Sequence, residues 1–338
     1  MSAVTVAIPV LDGGELLAGT LSALKRQTVA HELLVCDSGS SDGSVELARR
    51  HGARVIEIAR HEFSHGGTRN LLMREATGAH VALLTQDAEP AGERWLERLL
   101  AGFELGEEVG IVFGPYIPRD DASLAVRVEL ERFFASLAPD GEAVSSRLAP
   151  ADRLLPALAF LGPRGFFTDA NACIARTAWE RVPYRAVPYA EDRVLALEML
   201  RAGFAKVFVP SAGVLHSHVY TAREELGRCF DEWRGLLEVY GWREPLGPRR
   251  TLAKLGGELS ADRRAAAAAG LSARERRATL LAASRHHALR LAGALLGSRA
   301  DRLPRAARRR LSSEGRDSFL ALELDAPSSR AANERQTP

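Results

Sequence analysis

Five short stretches hold the side chains best suited to chemistry. "DSGSSDGS" sets Asp37 and Asp42 among serines and glycines, and "HGGTRN" offers two glycines and Arg69. "TQDAEP" offers Asp87 and then Glu89, "AEDRVL" offers Glu191 and Asp192, and "VLHSHV" offers His216 and His218. Carboxylate oxygens bind hard divalent cations and take protons from alcohols. Two histidines two apart share one face of an extended chain, where they can bind a metal or a phosphate. Glycines running into a helix start beside a cation suit a diphosphate. Each stretch alone also has a plain structural reading. Asp37 and Asp42 fit a turn and a helix N-cap, Asp192 suits the positive end of a helix, and Glu89 beside Pro90 suits capping.

The elements that position these residues follow from pattern. "VTVAIPV" is a strand buried on both faces, followed by a helix over 15–25. "ELLVCDS", "RVIEIA", "HVALLTQD" and "GIVFGPY" read as further strands, with helices between them at "SDGSVELARRHG", "TRNLLMREATG" and "GERWLERLLAGF". Alternation of this kind predicts an α/β, doubly wound, mostly parallel sheet, whose ligands bind beyond the carboxyl ends of the strands. Asp37 and Asp87 both fall at such ends. Further on, "FFTDANACIAR" reads as strand, 192–203 as helix, "KVFVPSAGVLHSH" as extended chain and 223–240 as helix.

Composition allows one large domain and an appendage. With 46% hydrophobic and 26% charged residues in 338, the chain is globular and not disordered by default. Cys36, Cys173 and Cys229 are too far apart to form a CxxC pair or a disulfide framework, which favours a reducing compartment. No signal-peptide pattern or membrane-length apolar run is present, so a cytoplasmic location is expected. Charge is uneven: residues 243–310 hold 17 Lys and Arg against 5 Asp and Glu, a local +12 within a total of +2.

Taken in order, "AIPVLDGG", "DSGSSDGS", "HGGTRN", "TQDAEP", "AEDRVLALEMLRAG" and "PSAGVLHSHVY" resemble the family 2 glycosyltransferases over residues 3–240. "FSHGGTRN", "LLTQDAEP" and "LHSHVY" look most like rhamnosyltransferase-type members that build bacterial surface polysaccharides. The resemblance implies an A-type glycosyltransferase fold and an inverting single displacement from a nucleotide-sugar donor of dTDP or UDP type to a glycan or lipid-linked acceptor. By motif, Pro9, Asp37, Asp42, Arg69, Gln86 and Asp87 fall to the donor, with Asp37 at the base, Asp42 beside base or ribose and Arg69 at the diphosphate. Asp87 matches the last acid of the family's DxD motif and, with His216, should hold Mg²⁺ or Mn²⁺. Asp192 matches the general base. Glu89, Glu191, His218 and Asn171 are further candidates. One departure stands out: Thr85 occupies the first acid position of the DxD motif.

The domains expected are a catalytic domain over 1–240, a basic helical extension over 241–312 and a disordered tail over 313–338. Ala288, Leu291, Ala292 and Leu295 recur at helical spacing among arginines. Two readings stand: a helix packed on the body or on a second subunit of a homo-oligomer, or an amphipathic helix on an anionic membrane surface that keeps the enzyme peripheral on the inner face. Nucleic acid is not expected, because the basic residues lack a binding motif and aromatic interleaving. Two rival functions remain: a catalytically silent nucleotide-sugar-binding module, and a nucleotidyltransferase. The latter would ordinarily carry a basic, glycine-rich signature after the first strand, and "LDGGELLAG" has no Lys or Arg.

Overall fold

A computed structural model describes residues 4–245 and 247–320. The chain divides into two compact units. One comprises the residues up to Asp120, Glu129–Arg153 and Pro163–Ser217; the other comprises Asp121–Val128, Leu154–Gly162 and the chain from His218 onward.

The first unit contains β1 (Val4–Val10), β2 (Glu32–Asp37), β3 (Arg54–Glu57), β4 (His80–Leu84), β5 (Glu89–Pro90), β6 (Val109–Phe113), β7 (Tyr116–Ile117), β8 (Val144–Ser146), β9 (Asn171–Ala175), β10 (Ala205–Phe208) and β11 (Val214–Leu215). Its helices are α1 (Gly14–Lys25), α2 (Ser44–Arg50), α3 (His65–Glu75), α4 (Trp95–Ala101), most of α5 (Leu124–Leu137), α6 (Arg176–Arg181) and α7 (Glu191–Ala202). β1 is buried on both faces, as its unbroken apolar run requires. Val4, Val6, Ile8 and Val10 pack with Leu17 and Leu21 of α1 and with Trp95 and Leu99 of α4. Ala7 on the opposite face joins Leu34 and Cys36, with Leu72 and Met73 of α3 and Leu195 and Met199 of α7.

The main sheet runs β3-β2-β1-β4-β9-β6-β10-β8. β3, β2, β1 and β4 are parallel, and so are β6 and β10. Simple alternation does not anticipate β9, which lies antiparallel between β4 and β6, with Asn171 opposite Leu84 and Ala172 opposite Phe113. The chain therefore enters β9 at the edge where β4 and β6 leave the sheet. Three boundaries also differ from expectation. α3 begins at His65, so "HGGT" is its first turn and not a loop. α2 is capped by Gly43 at φ 86 and not by Asp42. "GIVFGPY" breaks at Gly114 into β6 and β7, and β7 joins a small sheet of order β5-β11-β7.

The second unit contains α8 (Ala222–Tyr240), α9 (Pro248–Ala268), α10 (Ala273–Gly297) and α11 (Arg305–Leu311). α8 and α10 each open with a capping box, Thr221 with Glu224 and Ser272 with Glu275. α10 lies close on α8: a methyl added at Gly293 would stand 2.7 Å from Cys229 Cβ and 3.0 Å from Leu226 O. The stripe that α10 buries is Ala283, His287, Gly293, Ala294 and Gly297, not the predicted Ala288–Leu295 set. Small residues make that face because the backbones approach closely. The segment expected to open a disordered tail is anchored, since Asp231 of α8 accepts bonds from Ser312 Oγ at 3.0 Å and Ser313 N at 2.8 Å. The expected tail beyond residue 320 lies outside the described residues.

Candidate active site

After β4 the chain turns through Thr85, Gln86 and Asp87 and re-forms as β5, which pairs antiparallel with β11 so that Glu89 faces Leu215. Continuing that register outward places His216 opposite Ala88, next to Asp87, and His216 Nε2 lies 3.4 Å from Asp87 Oδ1. The His216 amide donates to Ile117 O at 3.0 Å, and the Tyr116 ring packs on the imidazole with centroids 4.6 Å apart. Arg119, which the sequence reading did not single out, braces the turn. Its Nη2 donates to Asp87 O at 2.9 Å, and its Nη1 lies 3.4 Å from Glu89 Oε2. Glu89 is thus engaged by an arginine. His218 follows two residues after His216 and opens the second unit, where its ring stacks on Tyr220.

Asp37 closes β2 and is buried. Its Oδ1 accepts from the amides of Gly39 and Ser40, both at 2.9 Å. Its Oδ2 is buried with no hydrogen-bond partner among the described residues. Pro9 sits near the end of β1, opposite Cys36. Asp42 laces two loops together: Oδ2 accepts from Gly14 N at 2.9 Å and Oδ1 from Ser44 Oγ at 2.6 Å. The Ser44 hydroxyl, in donating, holds the Asp42 carboxyl below its ordinary range. Gln86 clamps Leu11, accepting from its N at 2.8 Å and donating to its O at 3.0 Å. Both residues, expected at the donor, use these atoms to tie neighbouring loops together.

Asp192 is the second residue of α7 and its Oδ1 accepts from Arg193 N at 2.7 Å. Burial pushes its carboxyl up to about 6; Asp169 adds to the rise, and Arg193 and Arg69 oppose it. Arg69 does not face open space, as a diphosphate ligand would require. Its Nε lies 2.6 Å from Asp169 Oδ2 and its Nη1 3.0 Å from Glu191 Oε1, and all three residues are buried. Burial works against the Arg69 charge, but Asp169 and then Glu191 hold it, so its affinity for the proton rises. Burial likewise lifts Asp169 to about 6, with Arg69 opposing.

Asn171 also departs from its expected place among the site residues. It is fully buried and its amide is spent on structure: Oδ1 accepts from Trp95 Nε1 at 2.9 Å, and Nδ2 donates to Pro115 O at 3.1 Å and Ala212 O at 2.9 Å. Three residues missed in the sequence complete the picture. Asp169 is the first, and an acid inside the apolar run "GFFTDANACIA" was its signal, since a buried charge needs a partner. Tyr116 is the second. Its hydroxyl bonds Thr168 Oγ1, and its ionisation is suppressed by burial and then by Asp192, Asp169 and Asp87. One phenol thus feels both the Asp87 side and the Asp192 side of the site. Lys206 is the third, donating to Pro163 O, Arg164 O and Phe166 O at 3.1, 2.9 and 2.7 Å and so clamping the loop that leads to Asp169.

The sequence pattern of Glycosyl transferase family 2 matches residues 5–151. The chain is 32% identical over 234 residues to the O-antigen chain rhamnosyltransferase RfbN of Salmonella typhimurium, which spans 68% of this chain and 70% of the relative. It is 30% identical over 215 residues to the O-antigen chain rhamnosyltransferase WbaN of Salmonella anatum, covering 62% of this chain and 64% of that one. Among solved structures, the mannosyltransferase PcManGT from Pyrobaculum calidifontis, in complex with GDP-Man and Mn²⁺, superposes with a TM-score of 0.55 at 19% identity over 88% of this chain and 87% of that one; the likeness is one of fold. A mostly parallel sheet with its carboxylates gathered at one edge, an aligned relative over most of its length and a shared A-type fold agree: this chain belongs to glycosyl transferase family 2.

Proposed function

We propose that this glycosyltransferase moves rhamnose from a dTDP- or UDP-type donor to a hydroxyl of a surface polysaccharide or lipid-linked glycan, with inversion. The sugar and acceptor classes rest on the two O-antigen rhamnosyltransferase relatives. The observation that carries the mechanism is the pairing of Asp87 with His216 at the strand edge, served by the same Tyr116 that feels Asp192.

Asp87 and His216 are the residues that would hold a divalent cation. A carboxylate with an imidazole would suit Mn²⁺ better than Mg²⁺, which prefers oxygen ligands alone. When bound, such an ion stabilises the charge that develops on the departing nucleoside diphosphate. Asp37 accepts from the donor base through its unpartnered Oδ2. Asp192 takes the proton of the acceptor hydroxyl from the sugar face opposite the leaving group. A carboxyl near 6 is ionised at neutral pH yet basic enough for that task. Asp87 and Asp192 together weigh against a silent binding module.

No helix among the described residues is long and apolar enough to cross a membrane. The exposed side of α10, with Arg274, Arg277, Leu281 and Arg285, supports peripheral contact with anionic lipid, which would suit a lipid-linked acceptor.

The test is a thermal-shift panel of dTDP-rhamnose, UDP-glucose and GDP-mannose, each with and without Mn²⁺, followed by product analysis with the donor that binds. A metal-dependent rise with dTDP-rhamnose, since bound ligand stabilises by mass action, and an inverted product are expected. A retained anomeric configuration, or binding indifferent to metal, would sink the reading.

A further inference from the structure

The start of α7 is held in an unusual way. Its N-cap, Ala190, sits at φ 60 and ψ 32, a left-handed conformation that is strained for a residue with a Cβ. The N-cap contributes no side-chain bond, and within the first turn Asp192 Oδ1 accepts from Arg193 N at 2.7 Å, a bond that does not tie the turn to any other element. What holds that turn is Glu191, the neighbour of Asp192, whose buried carboxylate meets Arg69 Nη1 at 3.0 Å. Arg69 is anchored in turn by Asp169 Oδ2 at 2.6 Å from its Nε, and by donating from Nη1 to His65 O at 3.1 Å. Asp169 sits on the 163–170 loop, which Lys206 grips through three carbonyls.

Buried ion pairs are costly to desolvate and are weak evidence for stability as such. The Arg69–Glu191 contact, however, is a hydrogen bond that specifies geometry, and Asp169 is the charge partner that keeps the guanidinium in place. We propose that Asp169 and Arg69 are positioning residues for sugar transfer: through Glu191 they fix the first turn of α7 and so aim the Asp192 carboxylate at the acceptor hydroxyl. This rests on the reading of Asp192 as general base. The groups that face Asp192 are Asp169 from the loop before β9, Arg69 from α3, Arg193 from its own helix, Tyr184, and Tyr116 from β7. Removing the Asp169 charge should therefore also lower the pH at which Asp192 ionises.

The experiment uses the full chain with dTDP-rhamnose, Mn²⁺ and a prenyl-diphosphate-linked hexose as acceptor. Asp169→Asn keeps the shape and one acceptor oxygen for Arg69, so it should fold; thermal melting and donor binding check this. Expected is a kcat lowered about tenfold or more, the scale at which misplaced catalytic groups are felt. Donor KM should stay within about twofold of the native value, because the three side chains are buried and engaged with one another. The acid limb of the kcat profile should move to lower pH. Arg69→Lys keeps the charge but loses the two-sided fork, so it should rescue less than half of the native kcat. An Asp169→Asn protein with native kcat and native pH profile overturns the proposal, and so does a raised donor KM at unchanged kcat. Asp192→Asn is measured alongside. If it retains activity, the base reading itself is wrong; if it is inactive while Asp169→Asn is native, only the positioning proposal falls.

Discussion

Asp87 and Asp192 are both carboxylates at the end of a segment, and their surroundings give them different work. Asp87 is mostly buried against an imidazole but keeps part of its carboxylate accessible. Asp87→Asn should abolish metal-stimulated donor turnover yet shift melting little, because the residue lies in the turn after β4 and the amide keeps the shape of the carboxylate and one acceptor oxygen. Full activity in the variant, or native activity indifferent to EDTA, would refute the metal role. Asp192 must be ionised to accept a proton, and burial sets its carboxyl at about 6. Turnover should therefore fall about tenfold per pH unit below that value and stay level above it. Asp192→Asn should lower kcat by about a hundredfold or more and leave donor binding intact. The sign for stability is the reverse of an ordinary salt-bridged aspartate. The folded state prefers the neutral acid, so the charge is a burden above about 6 that is relieved as pH falls toward the unfolded value. Asp192→Asn should thus raise the melting temperature more at pH 7.5 than at pH 4.5; an equal change at both would contradict the buried assignment.

Elements here are positioned by close approach as much as by apolar stripes. α10 meets α8 where Gly293 has no side chain, with Cys229 Cβ, Leu226 O and Phe230 N within 3.0 Å of any methyl placed there. Two of those atoms are backbone and cannot swing aside. Gly293→Ala should therefore destabilise the packing of these helices by about 1–3 kcal/mol, despite the better helix propensity of alanine. Chemical denaturation checks this, and an unchanged or raised midpoint would mean that the helices are not in such contact. The same logic explains the helix stripe misread from sequence. Leu291 and Leu295 stand out by hydropathy, whereas Ala283, Ala294 and Gly297 are buried because they are small.

For the whole molecule, the basic excess of residues 243–310 meets its test at a membrane. Part of it is spent internally, as with Arg243 on Asp301 at 2.7 Å. Arg274, Arg277 and Arg285 remain exposed along α10 beside Leu281. The intact protein should sediment with vesicles containing anionic lipid and release as salt rises, since exposed charges are screened over about 8 Å at physiological ionic strength. Absence of binding to such vesicles at low salt would dispose of the lipid reading and leave helix packing as the purpose of the extension.

The order of strands and helices was legible in the sequence because each repeats a local period: unbroken apolar runs for β1 and β2 and helical spacing for α7. So were Asp37 and Asp87, because the end of a parallel strand is also an edge of the sheet. Local pattern carries no information about strand direction once a hairpin or crossover is undetermined. The antiparallel insertion of β9 could not be read, and with it the fact that Asp169 enters the site at the same edge as Asp87. Arg69 shows the same limit. As a residue type at a helix start it suits a diphosphate, and only the fold brings Asp169 and, 122 positions along the chain, Glu191 to its guanidinium. Residue type and spacing determined which side chains can do this chemistry. The tertiary structure decided which of them reach one another, because a buried charge takes its role from the partner that folding supplies.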